Sequence, residues 1–201
     1  MIRRTAAAFV LVGCLVASGT GVAGAQPPNS LSSGVFRFSD GGAVAGAVAR
    51  LVTNDAGATI SVRTAELAAE PHTVWWVVFN HPEHCTAPFA PGFQCGPGDL
   101  PGYGGDPSVQ FSLLYAAGNV VGRSGQAGFG ARLNTGDTSD AVMGDGLVNP
   151  RGAEIHLVIR THGPTVPHMV DQQIGTFNGG CEDGEPNEGL CADRQFAAFA
   201  Q

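Results

Sequence analysis

The chain has 201 residues, among them 30 Gly and 13 Pro. It contains 10 Arg, no Lys and 17 acidic residues, which gives a net charge of −7. An acidic surface repels phosphate backbones, so the composition argues against nucleic-acid binding. The absence of Lys excludes a Walker-type phosphate loop and any lysine Schiff base.

Residues 1–25 are predicted to form an export signal peptide. Arg3 and Arg4 precede an apolar run at residues 6–16, and Ala23-Gly24-Ala25 offers a cleavage site. The apolar run is short for a membrane-spanning helix, and nothing later approaches about 20 apolar residues, so no transmembrane segment is expected after signal removal.

A lipoprotein is the alternative, because Leu11-Val12-Gly13-Cys14 is similar to the lipobox of bacterial lipoproteins. The protein would then be anchored through a lipid on Cys14. In either case residues 26–201 have a length typical of one domain, which we expect to be secreted or held in the cell envelope.

Between the Gly and Pro residues lie short runs rich in Val, Ile, Phe and Thr, a pattern typical of an all-β chain. In residues 58–63, Ile60 and Val62 share one face, which predicts a half-buried strand. Residues 72–79 are apolar on both alternating faces, which predicts a central strand.

Residues 109–115, followed by Val120 and Val121, predict a hairpin with its turn at 116–119. The remaining predicted strands cover residues 35–39, 129–133, 155–161 and 173–177. Helix-favouring features occur at 43–52, at 64–70 and in the spacing of Phe196 with Phe199, but each is short. The prediction is an antiparallel β-sandwich of about nine strands with long Gly- and Pro-rich loops.

Four cysteines follow residue 25 as two similar pairs, Cys85 with Cys95 and Cys181 with Cys191. In an exported chain they predict two disulfides, and the local pairing is favoured because both intervening segments are rich in turn residues. The spacing alone leaves three connectivities open.

A zinc site formed by His81, His84, Cys85 and Cys95 is the alternative use of the first pair. The chain has neither C-x-x-C nor H-E-x-x-H, and Pro82 interrupts any helix that would align the histidines. The sequence therefore predicts no metal and no cofactor.

Ionisable side chains alternate along the predicted strand at 154–162. Glu154, His156, Arg160 and His162 share one face, and His72 joins them if its strand pairs with this one. This set is our candidate ligand-binding face, although a strand face open to water is the simpler interpretation.

Known catalytic and calcium-binding patterns are incomplete in this sequence. Residues 122–126 fail the G-x-S-x-G pattern at the last position, and no spacing picks out a pair of carboxylates for glycoside hydrolysis. Asp183, Glu185 and Asn187 lie in an acidic loop without the EF-hand spacing, which favours a solvated turn. No catalytic residue is predicted.

Residues 73–85 (TVWWVVFNHPEHC) and 154–164 (EIHLVIRTHGP), together with the terminal GGC…C…QFAAF pattern, resemble segments of exported bacterial all-β proteins. That family has no assigned activity, so the resemblance implies export and a β fold but assigns no catalytic residue. Copper-zinc superoxide dismutase is also a secreted β-sandwich, but its metal sites require an H-x-H pair that this chain lacks.

The leading functional hypothesis is a non-catalytic protein that binds an unidentified ligand or envelope component. The alternatives are an extracellular hydrolase that uses His156, His162 or His72 with an acidic partner, and a metal-binding envelope protein. A concave pocket that holds one of these histidines against a carboxylate would favour catalysis, whereas a flat histidine face would favour binding. The sequence gives no indication of oligomeric state.

Overall fold

The computed structural model describes residues 26–201, which form ten β-strands and one short α-helix. The strands are β1 (Asn29–Ser33), β2 (Phe36–Arg37), β3 (Val48–Asn54), β4 (Gly57–Thr64), β5 (Pro71–Phe79), β6 (Phe111–Val120), β7 (Ala127–Asn134), β8 (Ala141–Met143), β9 (Glu154–Thr161) and β10 (Ala192–Phe199), and helix α1 (Val170–Gly175) lies between β9 and β10. The predicted signal peptide and Cys14 lie outside the described residues, so signal cleavage and lipid attachment stay predictions.

The strands form two antiparallel sheets, which confirms the predicted β-sandwich. The four-stranded sheet has the order β1-β3-β4-β7, and the six-stranded sheet has the order β2-β10-β9-β5-β6-β8. No helix among residues 26–201 is long and apolar enough to cross a membrane.

The main core lies between the two sheets and follows the strand alternation. Ile60 and Val62 of β4 point into it from the four-stranded sheet, as the half-buried pattern predicted, and Trp76 points into it from β5. Burying each such side chain contributes about 1.5–3 kcal/mol.

Strand β5 is buried along its whole length, which confirms that it is central. Its second face carries Trp75, Val77 and Phe79 away from the main core, and Val77 and Phe79 join a smaller apolar cluster with Cys95 and Val109. The long connection from β5 to β6 packs over this second face, and it contains four short 3₁₀ turns that each begin at a Pro. The six-stranded sheet is therefore packed against the main core on one face and partly covered on the other.

Both disulfides have the predicted local pairing. Cys85 joins Cys95 and Cys181 joins Cys191, with Cα–Cα distances of 5.1 and 5.8 Å. Closing a loop of this length stabilises the fold by roughly 3 kcal/mol if unfolded-chain entropy dominates.

Several predicted elements are wrong. The predicted hairpin is one continuous strand, β6, which pairs with β5 throughout and absorbs Ala116 in a bulge. Residues 48–52 and 196–199, which have helix-favouring features, belong to strands, and residues 65–70 have no regular structure. Pairing with buried neighbours outweighs the weak propensity of short segments. The predicted strand at 173–177 instead contains the end of α1.

Helix α1 lies directly on β6 because Gly118 has no side chain. A Cβ atom at Gly118 would come within 1.8 Å of the carbonyl oxygen of Ile174. The same oxygen accepts a hydrogen bond of 2.8 Å from the hydroxyl of Tyr115. This contact sets the position of the segment that follows α1 and includes Phe177.

We expect Gly118→Ala to lower the free energy of unfolding by about 1–3 kcal/mol, because the added methyl forces α1 off the sheet. Urea denaturation measures the change. Gly122→Ala is the matched control, since a Cβ there meets nothing within 4 Å, and it should change stability by less than about 0.5 kcal/mol. Equal stabilities for the two variants would contradict this contact.

Candidate functional site

A cleft of about 390 Å³ opens on the outer face of the six-stranded sheet. Most of its lining side chains are aromatic or aliphatic. They are Phe38, Trp75, Val77, Phe79, Phe89, Pro97, Leu100, Tyr103, Phe111, Leu113, Val158, Phe177 and Phe196, together with Gly96 and the polar residues His156 and Asp193. We call this site the aromatic cleft.

The strand register builds the floor of the aromatic cleft. Val158 of β9 lies opposite Trp75 on one neighbouring strand and opposite Phe196 on the other. The indole of Trp75 makes an edge contact with the ring of Phe177, at a centroid distance of 5.0 Å. Because Trp75, Val158 and Phe196 occupy outward positions on three adjacent strands, they form one continuous apolar surface.

The loop closed by the Cys85–Cys95 disulfide forms one wall of the cleft. The ring of Phe89 lies 5.7 Å from that of Phe196 and 5.1 Å from that of His156. Asp99 is buried next to the disulfide, and its carboxylate accepts hydrogen bonds from the backbone N–H groups of residues 86, 87 and 96. These bonds hold the wall in place without any metal ligand.

A histidine of the cleft lining is bonded to a buried carboxylate that is not itself part of the lining. Oε1 of Glu154 lies 2.7 Å from Nε2 of His156, and the carboxylate also accepts from the backbone N–H groups of Gln94 and Cys95 at 2.8 and 3.2 Å. An ionised carboxylate only accepts hydrogen bonds, so Nε2 of His156 carries a proton. Glu154 thus ties the disulfide loop to β9 and orients the imidazole.

The other ring nitrogen of His156, Nδ1, has no hydrogen-bond partner among the described residues. The residue is 9% exposed, and its ring makes an edge contact with that of Phe79. His156 therefore lines the cleft while one of its ring nitrogens has no partner among the described residues.

Arg160 braces the outer rim of the cleft. Its guanidinium lies 4.4 Å above the ring centre of Phe177 and donates to Asp193 at 2.7 Å and to the carbonyl of Phe177 at 3.0 Å. The carboxylate of Asp193 is therefore engaged at the rim.

The predicted ligand-binding face divides into separate parts. Glu154, His156 and His162 are buried, so the interpretation of a strand face open to water is wrong for them. His156 lines the cleft, Glu154 is bonded to it but is absent from the lining, and Arg160 lies at the rim over Phe177. His162 is absent from the lining. His72 shares a face of β5 with Val74 and Trp76, opposite to the cleft, and its Nε2 is buried without a partner among the described residues.

His162 belongs to a buried hydrogen-bond chain behind the cleft. The indole N–H of Trp75 donates to Oγ1 of Thr73 at 2.7 Å, and that oxygen lies 2.9 Å from Nε2 of His162. Nδ1 of His162 donates to the carbonyl of Gly179 at 3.1 Å. A neutral imidazole satisfies every bond in the chain, and burial lowers the pKa of His162 to about 4. Burial also lowers the pKa of His72.

The alternative metal sites use atoms that are engaged elsewhere. Cys85 and Cys95 lie near Asp99, and Cys181 and Cys191 lie near His162, but both sulfur pairs are disulfides and offer no thiolate. The zinc alternative would require the first disulfide to be reduced.

The acidic loop is held by its own hydrogen bonds. Nδ2 of Asn187 donates to the backbone carbonyls of His162 and Pro164, and the carboxylate of Glu185 accepts from the N–H of Glu182. These hydrogen bonds hold the loop in place, and Asn187 is buried within it rather than solvated.

Sequence reasoning missed most of the cleft. Phe38, Phe89 and Phe177 come from segments far apart in the chain, and no spacing connects them. One signal was present, because the second apolar face of β5 needs a cover that the sandwich alone does not provide.

Comparison of this chain with protein-family models, with curated proteins and with solved structures finds no match.

We expect the free energy of unfolding to fall by about 3 kcal/mol between pH 6.5 and pH 4 through His162 alone. The folded-state pKa is about 4 and the ordinary value is 6.5, so in this window the unfolded chain binds a proton that the folded chain does not. Stability therefore rises with pH across the window.

Urea denaturation across that window should show a smaller pH dependence in His162→Gln than in the wild type. His168→Gln is the matched control, since His168 is exposed, and it should keep the wild-type dependence. The explanation fails if His162→Gln and the wild type lose stability equally on acidification.

Proposed function

We propose that the protein is an exported binding protein that holds a small, largely apolar ligand in the aromatic cleft. The single observation that carries the proposal is the cleft itself. Its volume of about 390 Å³ falls in the range of small-molecule sites, and such sites combine apolar walls with a few fixed polar groups.

The construction of the walls supports a preformed binding site. A disulfide and the buried Asp99 hold one wall, Arg160 braces the rim, and paired strands form the floor. Because these parts are held in place before a ligand arrives, binding requires little ordering of the protein.

The two disulfides and the all-β fold support an extracellular or envelope location for this binding function. Disulfides persist in oxidising compartments, and residues 1–25 are predicted from their sequence to form an export signal. The ligand would then be met outside the cytoplasm.

Hydrolysis is the second candidate function, since the pairing of His156 with Glu154 inside a pocket is the arrangement that favours catalysis. Nδ1 of His156 would take a proton from water while the water oxygen attacks the acyl carbon of the bound ester, and would then return that proton to the alcohol oxygen as the acyl–oxygen bond breaks, releasing the carboxylic acid and the alcohol. Binding is better supported, because the lining contains no Ser, Thr or Cys nucleophile and no Arg or Lys to stabilise an oxyanion.

We expect the wild-type protein to bind the neutral dye N-phenyl-1-naphthylamine with a Kd on the order of 10 μM, a typical affinity for a ligand of this size. Enhancement of the dye fluorescence measures it. Val158→Phe should weaken binding by roughly 10-fold or more, because its larger side chain fills the floor of the cleft.

The matched control is Val52→Phe, because Val52 is 38% exposed on β3 of the other sheet. It should bind the dye like the wild type. If Val158→Phe also binds like the wild type, while denaturation confirms that it is folded, the dye lies elsewhere and the proposed site is wrong.

If the hydrolase hypothesis holds, we expect His156→Phe to slow the hydrolysis of 2-naphthyl acetate by about 100-fold, the usual contribution of a general base. Release of 2-naphthol, followed by its fluorescence, measures the rate. His168→Phe is the matched control and should keep the wild-type rate. Equal rates for His156→Phe and the wild type would remove hydrolysis from consideration.

A further inference from the structure

The polar atoms of the aromatic cleft restrict which ligands fit it. Four side chains of the lining carry polar atoms: Trp75, His156, Asp193 and Tyr103, and the indole N–H of Trp75 is already bonded to Thr73. Asp193 is paired with Arg160 at the rim, and Tyr103 is 75% exposed at the mouth. Among these groups, Nδ1 of His156 is the ring nitrogen of a buried residue that has no hydrogen-bond partner among the described residues.

The position of this nitrogen is fixed rather than adaptable. Nε2 is held by Glu154 at 2.7 Å, and the ring lies between Phe79 and Phe89, each at a centroid distance of 5.1 Å. A residue that is only 9% exposed and has one unpaired ring nitrogen pays a desolvation cost when an apolar ligand covers that nitrogen. A ligand that bonds to the nitrogen avoids this cost.

We propose that the cleft selects an aromatic compound that carries a hydroxyl group on its ring, with the hydroxyl bonded to Nδ1 of His156. This inference rests on the proposed binding function and names its ligand class. Flat rings suit the walls, because the rings of Trp75, Phe177 and Phe196 offer edge and face contacts.

A hydroxyl group suits His156 in either of its charge states. The neutral ring, with its proton on Nε2, accepts a bond at Nδ1 from the hydroxyl hydrogen. The charged ring donates from Nδ1 to the hydroxyl oxygen. A methyl group of similar size can do neither and leaves Nδ1 buried without a partner.

The test compares 2-naphthol with 2-methylnaphthalene, two neutral compounds of nearly the same shape, as competitors of N-phenyl-1-naphthylamine. In the wild type, 2-naphthol should bind roughly 5-fold more tightly, the effect of one hydrogen bond of about 1 kcal/mol. In His156→Phe the order should reverse, since the methyl compound is the more apolar of the two. His168→Phe should keep the wild-type preference.

The outcomes separate this inference from the proposed function. Binding of the dye and of both naphthalenes without a preference for the hydroxyl would overturn the inference and leave the cleft as an apolar site. A preference that persists unchanged in His156→Phe would also overturn it. If none of the three compounds binds, the proposed function itself is wrong. The comparison within the wild type stands even if His156→Phe does not fold.

Discussion

The buried carboxylate of Glu154 is the constraint on which the rest of the site depends. It accepts two backbone N–H groups from the disulfide loop and the Nε2 proton of His156, so a single side chain joins a loop, a strand and an imidazole. A carboxylate with 1% exposure is costly to bury unless all its partners are present, and this cost favours one arrangement of the three parts. The wall and the polar atom of the cleft are positioned together as a result.

The double-sided strand β5 explains why the cleft lies where it does. Trp76 faces the core of the sandwich, while Trp75, Val77 and Phe79 face the other way and must be covered. The connection from β5 to β6 and the segment after α1 cover most of this second face from two sides. The cleft is the part that they leave open, floored by residues that would otherwise be core.

Much of the fold could be predicted from local patterns, but little of the site could. Alternation in β4, the double-sided apolar pattern of β5 and the paired cysteines led to the sandwich and to both disulfides, because each signal lies within a few residues. Short helix-favouring segments failed, since cross-strand burial decides their conformation. Strand order brings Thr73 to His162 in the buried hydrogen-bond chain and brings Phe89 close to Phe196. The spacing of residues along the chain does not reveal that order. Glu154 and His156 were recognised as neighbours on one strand face, yet their burial depends on a loop some 60 residues away.

The Cys85–Cys95 bridge has a consequence for how the protein matures. The loop that it closes carries Phe89 over the outer face of β10 and β9, and its backbone supplies two donors to Glu154. A newly made chain whose thiols are still reduced would hold this loop less firmly over that face and over the Glu154 carboxylate. Oxidation of this sulfur pair thus fixes one wall of the aromatic cleft and covers apolar surface in the same step, so a chain that remains in a reducing compartment would leave that apolar surface less protected and would be prone to self-association.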